Sequence, residues 1–366
     1  MTATAAERAK TRDSSILPRH VDFGYRTLVL RRAGIGLRWR LRSLIVCAVL
    51  ASLTIAVSLW ALTLGDFPLT VRQVWEALLN DPDAGFARTV VFEWRLPRIL
   101  AAAVFGAALG VAGAVFQSLT RNPLASPDII GFSTGAYTGA LIVIILINGT
   151  YLQLAGGALM GGLVTAAVVY LLAWRHGVQG FRLIIVGIAI SAVLGSFNTW
   201  LMLTADLEIA MSAAVWGAGS LNAITWEQAA VGMGVILALI AVLAPLTSNL
   251  RQLELGDDAA KSTGTRTEPV RLAVMVIGVG LTATVTAAAG PISFVALAAP
   301  QIARRLARTP GVTLVPAAFT GALLLAVADV TAQHLLPAML PVGVVTVVIG
   351  GGYLVWLIVH EVRRRA

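Results

Sequence analysis

Charge is what this chain has least of. Asp, Glu, Lys and Arg make up 12% of its 366 residues, while hydrophobic residues make up 58%. A soluble globular protein carries about 25% charged residues. Too little polar surface is present to face water on all sides, and a bilayer is the natural solvent. The single cysteine, Cys47, lies in an apolar run and has no partner, which excludes disulfides and a cysteine-based metal cluster. The four histidines, His20, His176, His334 and His360, are not paired at metal-ligand spacing, so no haem, zinc or iron–sulfur site is read. No phosphate-binding G-x-x-x-x-G-K-[ST] segment occurs, so the chain does not bind ATP by that route. A clustered catalytic constellation of His, Asp or Cys is also missing, which argues against a membrane-embedded enzyme. The net charge of +9 raises the question of nucleic acid. The basic residues fall in short blocks between apolar runs rather than in one stripe, and that partner is excluded.

What the chain has in plenty is long apolar sequence. About 20 apolar residues cross the hydrocarbon core as a helix. Ten such stretches are predicted, at 41–64, 97–118, 128–148, 152–174, 183–204, 226–247, 272–289, 292–306, 312–330 and 340–360. The fold class is an all-α membrane protein of about ten transmembrane helices. The first 42 residues hold ten Arg or Lys. That stretch is too long, and the apolar run after it too extended, for an ordinary cleaved signal peptide. Residues 1–40 read as a basic cytoplasmic tail and 41–366 as the membrane domain. With the N-terminus inside, alternation places 23 of the 27 basic residues on the cytoplasmic side. Only Arg72, Arg88, Arg95 and Arg98 fall outside. This bias is the one that orients membrane proteins, and it predicts that both termini are cytoplasmic.

Three connections stand out. Residues 65–96 hold an amphipathic stretch, Val71 to Leu79, suited to the membrane surface. Residues 205–225 hold a short re-entrant helix around Met211–Gly219. Residues 248–271 form the longest internal loop after the tail, and the only one with several charges of both signs. Within it, Leu255, Ala259 and Ser262 fall at helical spacing, with Gly256 and Gly264 as breaks. That spacing predicts a pair of short amphipathic helices against a cytoplasmic partner.

Arg95-Leu-Pro-Arg98 opens the second span, with proline where a helix tolerates it. The two arginines are either interfacial anchors or docking charges for an acidic partner. From Gln117 to Asp128 two prolines, Pro123 and Pro127, break the chain between the second and third spans. Asp128 is placed to cap the helix that follows. Broken backbone with polar side chains in a membrane protein lines a pathway, while the plain alternative is a turn. Asp329, near the end of the ninth span, reads as a cap or an ion partner.

Together the blocks Arg95–Arg98, Arg121–Ala136, Leu253–Gly264, Gly290–Leu306 and Leu340–Gly351 resemble the permease family of iron-siderophore, haem and cobalamin ABC importers, the type II importers. The resemblance runs from about residue 41 to 362 and leaves the first 40 residues uncovered. It implies a dimer of permeases in the bilayer, two cytoplasmic ATPases that use ATP and magnesium, and a soluble binding protein that delivers a ferric-siderophore chelate. This chain then binds no cofactor and no metal of its own. The resemblance further implies that Arg95, Arg98 and the position of Gln333 dock the binding protein. Gln117, Asn122, Leu124 and Asp128 would line or gate the pathway. A coupling loop at about 250–268, with Leu253, Leu255, Gly256, Asp257, Ala260 and Gly264, would seat in the ATPase. Gln333 stands where the family often has arginine, and Gln301 where it often has histidine. The missing arginine predicts a non-identical permease partner, with a second copy of this chain as the alternative. Haem or cobalamin are the alternative cargoes. The scarcity of intramembrane charge argues against an ion-coupled secondary transporter.

Overall fold

A computed structural model describes residues 27–32, 35–79, 85–174, 180–222, 224–311 and 313–365. The chain divides into two compact units, residues 1–45 and 46–366. In the first, β1 (Thr27–Arg32) pairs antiparallel with β2 (Ile35–Arg40), Thr27 opposite Arg40 and Arg32 opposite Ile35. The expected tail therefore carries a hairpin in its last third, where Thr, Val, Ile and Trp favour extended backbone. Arg8, Lys10, Arg12, Arg19 and Arg26 lie outside the described residues.

The second unit is helical. It begins within α1 (Leu41–Ala61), which the short α2 (Val71–Leu78) follows. A capping box starts α2: the Thr70 hydroxyl accepts from Gln73 N–H, and the Gln73 side chain accepts from Thr70 N–H. Next, α3 (Gly85–Thr89) continues through a π-helical turn, Val90–Arg95, into α4 (Leu96–Thr120). A second π-helical turn extends α5 (Phe132–Ile142) to Ile147. Then come α6 (Tyr151–Ala173), α7 (Gly180–Thr204), α8 (Leu207–Gly217) and α9 (Trp226–Leu243). The short α10 (Thr247–Glu254) and α11 (Asp257–Ser262) lead into α12 (Thr267–Ala289). Last are α13 (Val295–Ala307), α14 (Leu314–Val330) with a π-helical turn to Leu335, and α15 (Val342–Arg365).

Among the described residues seven helical stretches are long and apolar enough to span a membrane, starting at Leu41, Gly85, Tyr151, Gly180, Trp226, Thr267 and Leu314. The other three expected spans are helical but have shorter apolar stretches. The third is Phe132–Ile147 and the tenth contains Val342–Trp356. The eighth is α13, whose 13 residues reach only about 20 Å. It starts late because Gly290 and Phe294 both have left-handed backbone, at φ 71 and 68, and no helix runs through such residues.

Burial separates centre from periphery. In α4 and α12, 78% of the apolar window is buried inside the chain, against 17% in α1 and 11% in α7. The outer helices turn Leu, Ile, Val and Phe outward, as helices facing lipid do. The centre packs through small residues, because lipid gives no hydrophobic drive for one helix to prefer another. A side-chain carbon added at Gly106 or Gly110 of α4 would overlap the backbone of α14 at Gly321 or Ala317. Further along α4, Phe116 packs against Phe132 of α5 with ring centroids 5.2 Å apart.

Candidate translocation and coupling site

The residues expected to carry function gather at the two ends of α4 and along the broken segment after it. Helix α4 has 25 residues, so its ends lie about 37 Å apart. At its start, Arg98 grips Asp329 of α14 side-on, Nε to Oδ2 at 2.9 Å and Nη2 to Oδ1 at 2.7 Å. The Asp329 side chain is 8% exposed and that of Arg98 19%. Arg95 donates to the carbonyls of Leu62 and Phe67, both at 2.6 Å. Gln333 donates to the Asn222 side chain. The three residues expected to dock a partner share one end of the bundle, and each makes its resolved bonds inside the chain. Asp329 is an ion partner rather than a cap.

The broken segment is pinned rather than loose. Arg121 ends α4 with φ 51, and the Asn122 side chain accepts from Leu124 N–H at 2.9 Å. Leu124 itself is exposed. Asp128 does not cap α5. Gly131, with φ 93, holds that position. Asp128 instead accepts from the Ser133 hydroxyl at 2.7 Å and from Phe294 N–H at 3.3 Å. It therefore joins the starts of α5 and α13, two of the short helices, where a carboxylate suits the positive end of a helix dipole. Gln117 is buried, donates to the Leu297 carbonyl at 3.0 Å and accepts from Gln301. Above this pair opens a polar cleft of about 190 Å³, rimmed by Arg121, Asn122, Glu254 and Arg304. The cleft brings Gln117 and Asn122 together; Leu124 and Asp128 do not line it.

The same end carries α10 and α11, the pair of short helices expected from the loop. They meet at Gly256, whose φ of 115 requires glycine. Leu253 and Ala260 are buried and hold the pair to the bundle, whereas Leu255 at the bend is 74% exposed. Gly264, φ 83, ends α11 with open space around it. Asp257 accepts from Arg121 at 2.8 Å, and both of its oxygens accept from Arg271, at 2.8 and 2.9 Å. Burial pushes its carboxyl up, but the Arg271 hydrogen bonds and the charges of Arg271, Arg121 and Lys261 outweigh this and hold it below the usual carboxylate value. Arg121, Arg271 and Glu254 drew no individual role from the sequence, although Glu254 lies in the expected coupling loop and Arg121 in the broken segment. The partners that tie them to one another's elements lie 14 to 136 residues away, and no local pattern announces such pairs.

A model of the FecCD transport family matches residues 53–360. The chain belongs to that family. Along its length it is 49% identical over 325 residues to the ferric enterobactin transport system permease protein FepG of Escherichia coli (strain K12), covering 88% of this chain and 98% of that protein. It is 36% identical over 309 residues to the Fe(3+) dicitrate transport system permease protein FecD of the same organism, covering 83% and 94%. A solved structure of a metal-chelate type ABC transporter in an inward-facing conformation superposes with a TM-score of 0.75 at 27% identity, over 86% of this chain and 99% of that one. As a FecCD member the chain is a multi-pass membrane permease, the non-enzymatic transport component of an ABC system.

Proposed function

We propose that this FecCD permease carries ferric-siderophore chelates into a bacterial cell across the cytoplasmic membrane. Two ATPase subunits seat on α10–α11, and a soluble binding protein delivers cargo at the opposite end. The observation that carries the reading is the bend at Leu255–Gly256. An apolar side chain is held out to solvent on a glycine-built elbow, directly beside the polar cleft at the end of α4. Such an elbow suits a protein partner. The kinship with ferric enterobactin and ferric dicitrate permeases supports the class of cargo. Transport then follows from rocking of two permeases about their interface as the ATPases close. At the far end, Arg95, Arg98 and Gln333 frame the docking face rather than offer free charge. The Gln333–Asn222 bond at that face fits a partner permease that differs from this chain and supplies the extra cation.

Growth of a deletion strain on a ferric tris-catecholate as sole iron source tests the cargo. Loss of growth restored by this gene supports the reading, and unchanged growth on every ferric siderophore overturns it. Vanadate should stop uptake, whereas an ion-coupled carrier would continue. A reporter active only in the cytoplasm should work at residue 366 and fail near residue 215, and a signal at residue 215 would refute the orientation.

A further inference from the structure

Both sides of the α10–α11 elbow hold the last turn of α4. Glu254, the last residue of α10, accepts from the Ser118 hydroxyl at 2.6 Å. Asp257, the first residue of α11, accepts from Arg121 at 2.8 Å. Ser118 and Arg121 are three residues apart, so they share one side of the helix end. Asp257 is fixed from behind by Arg271 of α12, which also binds Glu268 at 2.7 Å. The Arg271 side chain is only 6% exposed, so this anchor belongs to the central bundle. Arg121 has the left-handed backbone that non-glycine residues rarely adopt. Asn122 follows it directly. Any turn of Arg121 therefore re-aims the segment from Asn122 to Leu124. Ser118, Arg121 and Glu254 also line the polar cleft, so a shift of the elbow changes the shape of that cleft.

We propose that Ser118 and Arg121 are positioning residues that transmit displacement of the α10–α11 elbow to the Asn122–Leu124 segment, with Asp257 as the shared pivot and Arg271 as its fixed bearing. This rests on the reading of α10–α11 as the ATPase contact. It adds the path by which that contact reaches the pathway. Two hydrogen-bonded arms three residues apart resist both translation and rotation of the helix end, which a single contact does not.

The test uses the assembled transporter in proteoliposomes, with its ATPase and binding protein, and reads chelate moved per ATP hydrolysed. Arg121→Gln cuts one arm and leaves the Asp257–Arg271 pair intact, so the elbow stays seated. Chelate moved per ATP should fall ~10-fold, within the usual range of coupling between sites, while hydrolysis persists and thermal stability stays near that of the parent. Arg121→Lys should restore most of the loss, and Ser118→Ala should lose less than Arg121→Gln. Parent-like transport per ATP in Arg121→Gln overturns the proposal. So does a fall in stability alongside uptake that lysine does not repair, since Arg121 would then be a contact of the fold alone. Leu255→Cys, made with Cys47→Ser, separates the two layers by cross-linking to the ATPase. Cross-linking together with normal transport in Arg121→Gln overturns the transmission path alone. Absence of cross-linking overturns the ATPase contact on which the path rests.

Discussion

The two ends of α4 carry ion pairs built on different plans. At the start, one arginine meets one aspartate, Arg98 and Asp329, nearly closed off from solvent and joined by two bonds. At the end, one aspartate serves two arginines, and Asp257 and Arg121 are 36% and 47% exposed. The first pair fastens α4 to α14, where the helix backbones already touch at Gly106 and Gly321. The Asp329 side chain is almost out of reach of water, so separation would strand its charge in a dry setting. The second joins α4, α11 and α12 through a shared carboxylate in reach of water. Exchange between partners there costs little, because water covers what is released. A buried exclusive pair suits a joint that stays closed, and an open shared one suits a joint that moves.

The largest expected effect is at the closed joint. Asp329→Ala should destabilise the folded permease by about 3–5 kcal/mol, because a buried charge is left without its partner. Thermal unfolding in detergent reads this. The double change Arg98→Met with Asp329→Leu should recover most of the loss, since no charge then remains. A single variant as stable as the parent would erase the contrast between the two ends.

Gly264→Val comes next. The site has φ 83 and no neighbour within 4 Å of an added carbon. Its cost is therefore backbone strain alone, about 1–2 kcal/mol. Hydrogen exchange should rise in α11 and stay unchanged at Arg98–Asp329. Gly264→Asn should be milder, as asparagine tolerates this conformation better. Equal protection in both variants would show that the end of α11 does not set its fold.

Smaller still is the stability effect at the open joint. Arg121→Gln should cost no more than about 1 kcal/mol, as exposed ion pairs do, and high salt should shrink the difference from the parent. Asp329→Ala should keep its full effect in the same salt. A salt-independent cost at Arg121 would place that pair in the closed class.

The smallest effect is in pH. Asp257 is held below the usual carboxylate value in the folded chain. Its contribution is complete above the unfolded value, near about 3.9, and is lost as pH falls through the lower folded one. Acidification from about pH 7 to about pH 5 should leave the Arg121→Gln difference unchanged. A difference that vanishes already at about pH 5 would mean that the arginines do not control this carboxyl.

Much of the framework was legible in the linear chain. Runs of about 20 apolar residues have one stable solution in a bilayer, since every backbone polar group must bond within its own segment. The elbow was legible for a local reason too. Gly256 and Gly264 bracket a short charged helix, and glycine is what left-handed backbone requires. The ends of the short helices were less so. Asp128 looked like a cap because aspartate after proline suits one, yet Gly131 took that place and freed Asp128 for Phe294, 166 residues away. Arg95 and Arg98 read as interfacial anchors or docking charges on a helix start, because nothing nearby in sequence reveals Asp329 or the Leu62 and Phe67 carbonyls.

Composition and hydrophobic pattern by themselves determined that this chain is a membrane-spanning helical protein. Those properties follow from the solvent and from contiguous residues. Tertiary structure alone decided which charges are spoken for, which helices stop halfway, and that Asp257 ties the elbow to the end of α4. Such facts depend on pairs of groups brought within about 3 Å from distant parts of the chain, and only the packing of α4, α12 and α14 sets those distances.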